Sequence, residues 1–550
     1  MKPSNRQLLV LLAFYGALLL LPVGLTPLIE TTEARYGEIA REMLVSGNWL
    51  EPQLNGIKHF HKPPLAYWLV ATGMKLFGRN DFGARFCGVL ASVVAVFFLY
   101  RMARLVLQDE KKAFYAALIF ATSWLFLAVT RLASTEIYLV CFTILSQYFL
   151  FRQLYEQRSW KNALLYGLFL GLGFLTKGPI IFLFTLLPYL TSKIADREHR
   201  QVFTPAEILL GTIAFALLAL PWYLIVISKN PGLLNYFLKV QTVDRVVTDR
   251  FHRYEPPWYF FVVFAGTFLP YLLFFLKGLH YHQVMPRRLK ILLIYIAAPL
   301  VVFTLAKGKH ATYIVPFYGV ASLWAAEAYA RLAMPWLRRA VLGMLGLLAL
   351  APVVAAFTVH PLASGWQVCS AVAALPLAWV VWQAFRERHT QRLLIWTAAG
   401  LLMTGCMGYV LFGQATHNRR GYEQLTARLN ALDPDRRLPV LVYRKSLPSI
   451  SFYRGALAVM ALGKEREVQF EQNDDYRVAY VASHEKLQDF LARNTRLFVV
   501  AEPEEMVGLS VGQASACEEV FTHRKVTAFL CRQGPSLSAL TESNAQWLGE

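Results

Sequence analysis

The chain has 550 residues, of which 56% are hydrophobic and only 16% charged, against about a quarter charged in soluble domains; its mean hydropathy is +0.40. That balance excludes a string of soluble domains and points to a polytopic helical membrane protein. The net charge of +20 is unevenly placed: residues 414–550 hold 17 basic and 17 acidic side chains, so the 38 basic and 18 acidic residues of 1–413 carry all of it. A basic membrane half beside a neutral tail suits lipid head groups and topology. No basic–aromatic recognition motif is present, so nucleic acid is not an expected partner.

Apolar segments long enough for spans fall near 7–28, 82–100, 113–131, 136–152, 162–176, 178–194, 206–228, 257–277, 289–306, 311–330, 338–359, 366–385 and 393–413. The first is too long for a signal-peptide core and lacks a small-residue cleavage site, so it reads as a retained span. A shorter amphipathic piece, 64–77, reads as an interfacial helix. With thirteen spans, the basic short loops (around residues 2–6, 101–112, 152–161, 193–200, 277–290, 331–339 and 386–392) all fall on one side. By the positive-inside rule that side is cytoplasmic. Segment 30–81 and everything after 413 then lie outside. The expected domains are a membrane domain, 1–413, carrying an outer loop 29–81, and a soluble domain on the outer side, 414–550.

The tail reads as mixed α/β, with helical pattern at 421–432 and 485–492 and strand-like runs at 439–443, 477–481, 497–500 and 526–531. Of six cysteines, Cys87, Cys141, Cys369 and Cys406 lie in apolar runs and read as small buried side chains. Cys517 and Cys531 fall opposite each other in a hairpin turning at 523–525, where a disulfide and two reduced thiols are both open readings. No C-x-x-C or other metal-ligand spacing occurs.

Four outward-facing features could carry chemistry. Glu33, Arg35, Glu38, Arg41 and Glu42 crowd into ten residues just after the first span. A surface helix with its own ion pairs explains that spacing about as well as catalysis does, but Glu33 opens the segment at the membrane surface. Next comes Lys62-Pro63-Pro64 with Tyr67 and Trp68, where a Lys before a Pro-started helix suits a lipid phosphate as well as simple snorkelling. Glu136 opens a span after Arg131; a carboxylate there is costly in lipid and should face a polar cavity, although an N-terminal helix charge is the plainer reading. Finally, the turns Thr176-Lys177-Gly178-Pro179 and Lys307-Gly308-Lys309-His310-Ala311-Thr312-Tyr313 put positive charge on the outer side, against the topology rule. That calls for an anionic partner. The 229–256 loop adds Arg253.

These residues resemble the bacterial lipid A 4-amino-4-deoxy-L-arabinose transferases and their polyprenyl- and dolichol-phosphate-sugar-using relatives, including protein O-mannosyltransferases. The resemblance runs through Glu33-Ala34-Arg35-Tyr36, Glu38–Met43, Lys62–Trp68, Thr176-Lys177-Gly178, Ala306–Lys309 and Thr312-Tyr313. It implies the GT-C membrane fold with about 13 transmembrane helices and a periplasmic C-terminal α/β domain. It also implies a bacterial inner-membrane glycosyltransferase using a polyprenyl (undecaprenyl) phosphate sugar and a lipid A or other glycolipid acceptor, and so a link to polymyxin resistance. Expected catalytic residues are Glu33 and Glu136; Arg35, Tyr36, Lys62, Tyr67, Lys177, Arg253, Lys307, Lys309 and Tyr313 are expected to bind substrate. Family members usually carry Asp-Glu where this chain has Thr32-Glu33. No cofactor is required, though a carboxylate pair near phosphate could hold a divalent ion. A monomer is expected. Transfer of galacturonic acid, mannose or another hexose to core sugars, glycan or protein is the alternative within the class. A lipid-linked sugar transporter would need inverted repeats that the sequence lacks.

Overall fold

A computed structural model describes residues 3–30, 32–195, 202–244, 254–331, 335–358, 364–463, 480–494, 496–510, 517–523 and 525–532. The chain forms two compact units: residues 1–26 with 61–415, and residues 27–60 with 416–550.

The first unit is helical. Among the described residues seven helices are long and apolar enough to cross a membrane, and nine if each of two bent pairs counts as one span. All thirteen expected segments are helical, several in two pieces. Glu110–Ala121 and Trp124–Thr130 meet at 62°, and Tyr259–Thr267 and Leu272–His280 at 115°. The first bend falls at Thr122-Ser123, whose hydroxyls bond back to Leu118 O and Ile119 O, the local competition that bends helices. Segment 64–77 is the expected short helix, Leu65–Phe77. Helix Glu136–Tyr155 is the most enclosed span. Its neighbour Trp160–Lys177 runs back beside it and packs closely on Pro205–Lys229. A side chain at Gly167 would collide with the Gly211 backbone, so glycine is required at that crossing.

The second unit is an α/β domain. Strands β1 (Gln53–Leu54) and β2 (Ile57–Lys58) form a small antiparallel hairpin. Its turn is Asn55-Gly56, both at positive φ, the sequence favoured for a two-residue hairpin loop. A six-stranded sheet has the order β5-β4-β3-β6-β8-β7, with β3 Val440–Tyr443, β4 Val459–Ala461, β5 Tyr480–Val481, β6 Leu497–Ala501, β7 Cys517–His523 and β8 Val526–Cys531. Strands β5, β4, β3 and β6 are parallel, and β8 and β7 add antiparallel. Helices Glu423–Leu432, Pro448–Arg454, His484–Arg493 and Pro503–Ser510 complete it. Cys517 faces Cys531 across β7 and β8, and the two are disulfide-bonded.

Segment 27–60 differs from its expected grouping with the membrane domain: it packs into the α/β unit. Its helix Glu33–Ser46 is buried over most of its length rather than lying on a surface. The physical reason is that the segment's polar groups find partners on residues 449–455. The Leu28 N–H donates to Tyr453 Oη (2.7 Å), the Ser449 N–H to Glu30 (3.2 Å), Arg41 to Gly455 O (3.3 Å), and Ser451 Oγ to Asn55 Oδ1 (3.0 Å). Ile57 packs on Met460 and Tyr480.

Candidate active site

Glu136 is the first residue of Glu136–Tyr155 and Lys177 the last of Trp160–Lys177. Each charge has the sign its helix end favours, and antiparallel packing brings the two ends together. Lys177 Nζ lies 2.7 Å from Glu136 Oε1, with side chains 7% and 17% exposed. The lysine helix stops at Gly178 (φ 74°), whose N–H bonds to Phe174 O, and Pro179 precedes the following helix.

A third element closes on the pair. Residues 311–317 form a 3-10 turn entering helix Tyr318–Arg331. Thr312 Oγ1 donates to Glu136 Oε1 (3.3 Å), and Thr135 Oγ1 to Oε2 (3.1 Å). His310 Nδ1 is 2.9 Å from Thr312 Oγ1 and accepts the Thr312 N–H, capping the turn that carries this hydroxyl. Lys177 Nζ stands 5.2 Å over the Tyr313 ring, which also packs on Phe303 and His310. Glu136 is therefore an oriented carboxylate that accepts three bonds beside a cation on an aromatic face.

Glu136, Lys177 and Tyr313 thus come together as one site. The other expected residues occupy other positions. Lys309 is buried, its Nζ 2.9 Å from Glu255 O and 5.7 Å over Tyr254, and Gly308 pairs with Tyr254 in an antiparallel bridge. Lys307 is exposed. Lys62 is half-buried in the turn before Leu65–Phe77, on which Tyr67 is buried; the adjoining His61 stacks on Tyr236 (6.2 Å). Arg253 lies outside the described residues. The sequence reading gave no role of their own to Thr135, His310 and Thr312, although polar side chains at the mouths of apolar spans are themselves a signal.

Glu33, Arg35 and Tyr36 belong to the other unit. Glu33 is buried at the start of its helix and accepts the Ile29 N–H (3.2 Å). Arg35 is half-buried and Tyr36 buried. Further along, Arg41 donates to both oxygens of Glu38 (2.7 and 2.6 Å), and Glu42 accepts the Asn55 and Gly56 N–H groups. Burial pushes the Glu38 carboxyl well above the usual carboxylate range, against the pull of Arg41. It raises Glu42 too, against the two hairpin N–H donors. These acids hold the loop together. Among the described residues no group of three or more His, Cys, Asp or Glu gathers as a metal site.

Comparison with known proteins adds the class. Residues 61–223 match the family model described as dolichyl-phosphate-mannose-protein mannosyltransferase. The crystal structure of ArnT from Cupriavidus metallidurans bound to undecaprenyl phosphate superposes with a TM-score of 0.80 at 19% identity, over 95% of this chain and 97% of that one. The chain has the fold of that structure, the GT-C fold. In sequence the chain is similar to proteins named undecaprenyl phosphate-alpha-4-amino-4-deoxy-L-arabinose arabinosyl transferases. The one from Edwardsiella ictaluri is 29% identical over 68% of this chain and 70% of its own length. The first such transferase of Pseudomonas fluorescens is 30% identical over 56% of each.

Proposed function

We propose that the protein moves 4-amino-4-deoxy-L-arabinose from undecaprenyl phosphate to a lipid A phosphate on the periplasmic face of the bacterial inner membrane. The N-terminus is cytoplasmic, the C-terminal domain periplasmic, and the protein acts as a monomer. The observation that carries this reading is the Glu136–Lys177 pair, roofed by Thr312 and Tyr313 at one end of three helices. The names of the relatives supply the sugar and its carrier.

The reaction breaks the bond between the anomeric carbon and the carrier phosphate oxygen, which keeps the electron pair. An acceptor phosphate oxygen attacks the opposite face of that carbon, inverting it. An ionised phosphate is already a nucleophile, so positioning and charge stabilisation dominate over deprotonation. Lys62 and Lys307 stabilise the leaving phosphate, with Lys309 adding positive field. Tyr67 and Tyr313 line the sugar path, while Glu136 and Glu33, helped by Arg35 and Tyr36, orient acceptor and sugar amine. Lys177 pairs with Glu136 and can yield to an incoming amine. Any divalent ion would have to compete with Lys177 for Glu136.

The test is lipid A mass spectrometry in a strain lacking its own transferase. Expression of the wild type adds aminoarabinose, and Lys62→Ala abolishes the addition. Full modification by Lys62→Ala removes the phosphate clamp. An increment matching a hexose or a uronic acid reassigns the sugar.

A further inference from the structure

The chain passes from the membrane unit into the α/β unit between Thr26 and Pro27, just ahead of Glu33. The turn that follows, Leu28-Ile29-Glu30, is held at every residue. The Leu28 N–H donates to Tyr453 Oη (2.7 Å), the Ile29 N–H to Glu33 Oε2 (3.2 Å), and the Ser449 N–H to Glu30 Oε2 (3.2 Å). Ile29 also grips the helix in the other direction: its carbonyl accepts the N–H groups of Glu33 (3.1 Å) and Ala34 (3.2 Å). Glu33 is thus bound through its backbone and its carboxylate to one residue, and both neighbours of that residue are tied to helix Pro448–Arg454.

Apolar packing fixes the same turn. Leu28 is buried, and a Cβ on Gly37 would come within 2.5 Å of Leu28 Cδ1 and 3.2 Å of the Phe452 ring. Both side chains therefore lie against the bare backbone of helix Glu33–Ser46 one turn beyond Glu33. The N-cap of that helix, Thr32, makes no side-chain capping bond, so the first turn takes its anchor from Leu28-Ile29-Glu30 instead. Residues 449, 451, 453 and 455 meet the segment at 30, 55, 28 and 41, and the closest of these pairs in sequence is 396 positions apart.

We propose that Tyr453 is a positioning residue for sugar transfer: its hydroxyl, acting through Leu28 and Ile29, sets where the Glu33 carboxylate stands. The proposal rests on the reading of Glu33 as a group that orients the reactants. Such a group works from a defined place, and a displacement of about 1 Å can cost about a hundredfold in rate. Tyr453→Phe keeps the ring and removes only the acceptor of the Leu28 N–H, which leaves the turn less well held. The α/β unit then bears on the rate through the turn it holds.

The experiment measures transfer of aminoarabinose from undecaprenyl phosphate to lipid A by full-length wild type, Tyr453→Phe, Glu33→Gln and the double variant. Amounts are matched as folded protein from melting profiles in detergent. Tyr453→Phe should keep its KM for the lipid-linked sugar within about twofold and lose about tenfold in kcat. Glu33→Gln should lose at least as much, and the double variant should be no slower than Glu33→Gln, because the hydroxyl acts through that carboxylate. A double variant slower than Glu33→Gln by about a further tenfold overturns the proposal, since two independent losses add in free energy. Wild-type kcat in Tyr453→Phe beside a slow Glu33→Gln also overturns it and leaves the role of Glu33 standing. Wild-type kcat in Glu33→Gln overturns both.

Discussion

Removing either member of the Glu136–Lys177 pair should cost both stability and turnover, and a double-mutant cycle separates the two. At 2.7 Å and an effective dielectric of 20, the bare attraction is about 6 kcal/mol. Desolvation cancels much of it, and the side chains keep 7% and 17% exposure. A coupling energy of about 2 kcal/mol is therefore expected. Lys177→Ala strands a carboxylate held only by Thr135 and Thr312, and should destabilise by about 2–3 kcal/mol. Glu136→Ala strands a half-buried lysine at similar cost, and the double variant should be no worse than the poorer single. In turnover, each single should lose at least about a hundredfold, or about 2.7 kcal/mol of barrier, in membranes where folded protein is matched by quantity. The conservative Glu136→Gln keeps the shape and the Thr312 contact, so its stability loss should be small while its turnover loss persists. The assay is transfer from undecaprenyl-phosphate-linked aminoarabinose to lipid A, followed by mass spectrometry. Wild-type turnover by Glu136→Gln would refute the catalytic reading and leave the pair as a helix-end clamp.

The α/β unit yields two further expectations. Arg41→Met leaves Glu38 buried without the partner of its two hydrogen bonds and should destabilise this unit by about 1–3 kcal/mol, read as loss of folded full-length protein on heating in detergent. Asp433 lies on Arg454 (2.5 Å) and accepts the Leu438 and Arg437 N–H groups. Burial works to raise its pKa, but those N–H bonds and the Arg454 contact outweigh it and hold the carboxyl below its usual value. A depressed folded value means stability present above the unfolded pKa and lost as pH falls through the folded one. Asp433→Asn should therefore destabilise at neutral pH and flatten the acid limb of the melting profile; an unchanged limb would disprove the assignment.

Helix positions and the strands β3, β6 and β8 were legible because hydrophobic period and run length are local properties. The three-residue β4 and helix Pro503–Ser510 carry too little pattern to stand out. The grouping of 27–60 was not legible, because Glu30, Arg41 and Asn55 take their partners from residues some four hundred positions away. A buried helix that is half polar looks like a surface helix until those partners appear. At the site, topology put Glu136 and Lys177 at the same end of their two spans, where the structure has them in contact, and their charges fit their helix ends. Nothing local links residues 41 apart, and only the antiparallel packing of two spans turns two isolated charges into a pair. That pairing also changes how Lys177 is read: it serves the acid first, and the phosphate falls to other cations.

Thr32 offers a discriminating experiment on the chemistry itself. It is exposed, stands at the N-cap of Glu33–Ser46 and makes no side-chain capping bond. An aspartate there meets the positive end of the helix, so Thr32→Asp should hold or raise stability by up to about 1 kcal/mol. It also restores the acid that the resembled family usually carries. If the acceptor is an ionised phosphate, the added base has no proton to take, and kcat should stay within about threefold of wild type across pH 6–8. If the acceptor is a hydroxyl, a positioned base is worth about a hundredfold or more, and the variant should gain with a new rise in rate as the carboxyl ionises. A gain of that size in a folded, thermally unimpaired variant would refute the phosphate acceptor and move this chain toward a relative that glycosylates sugars or protein.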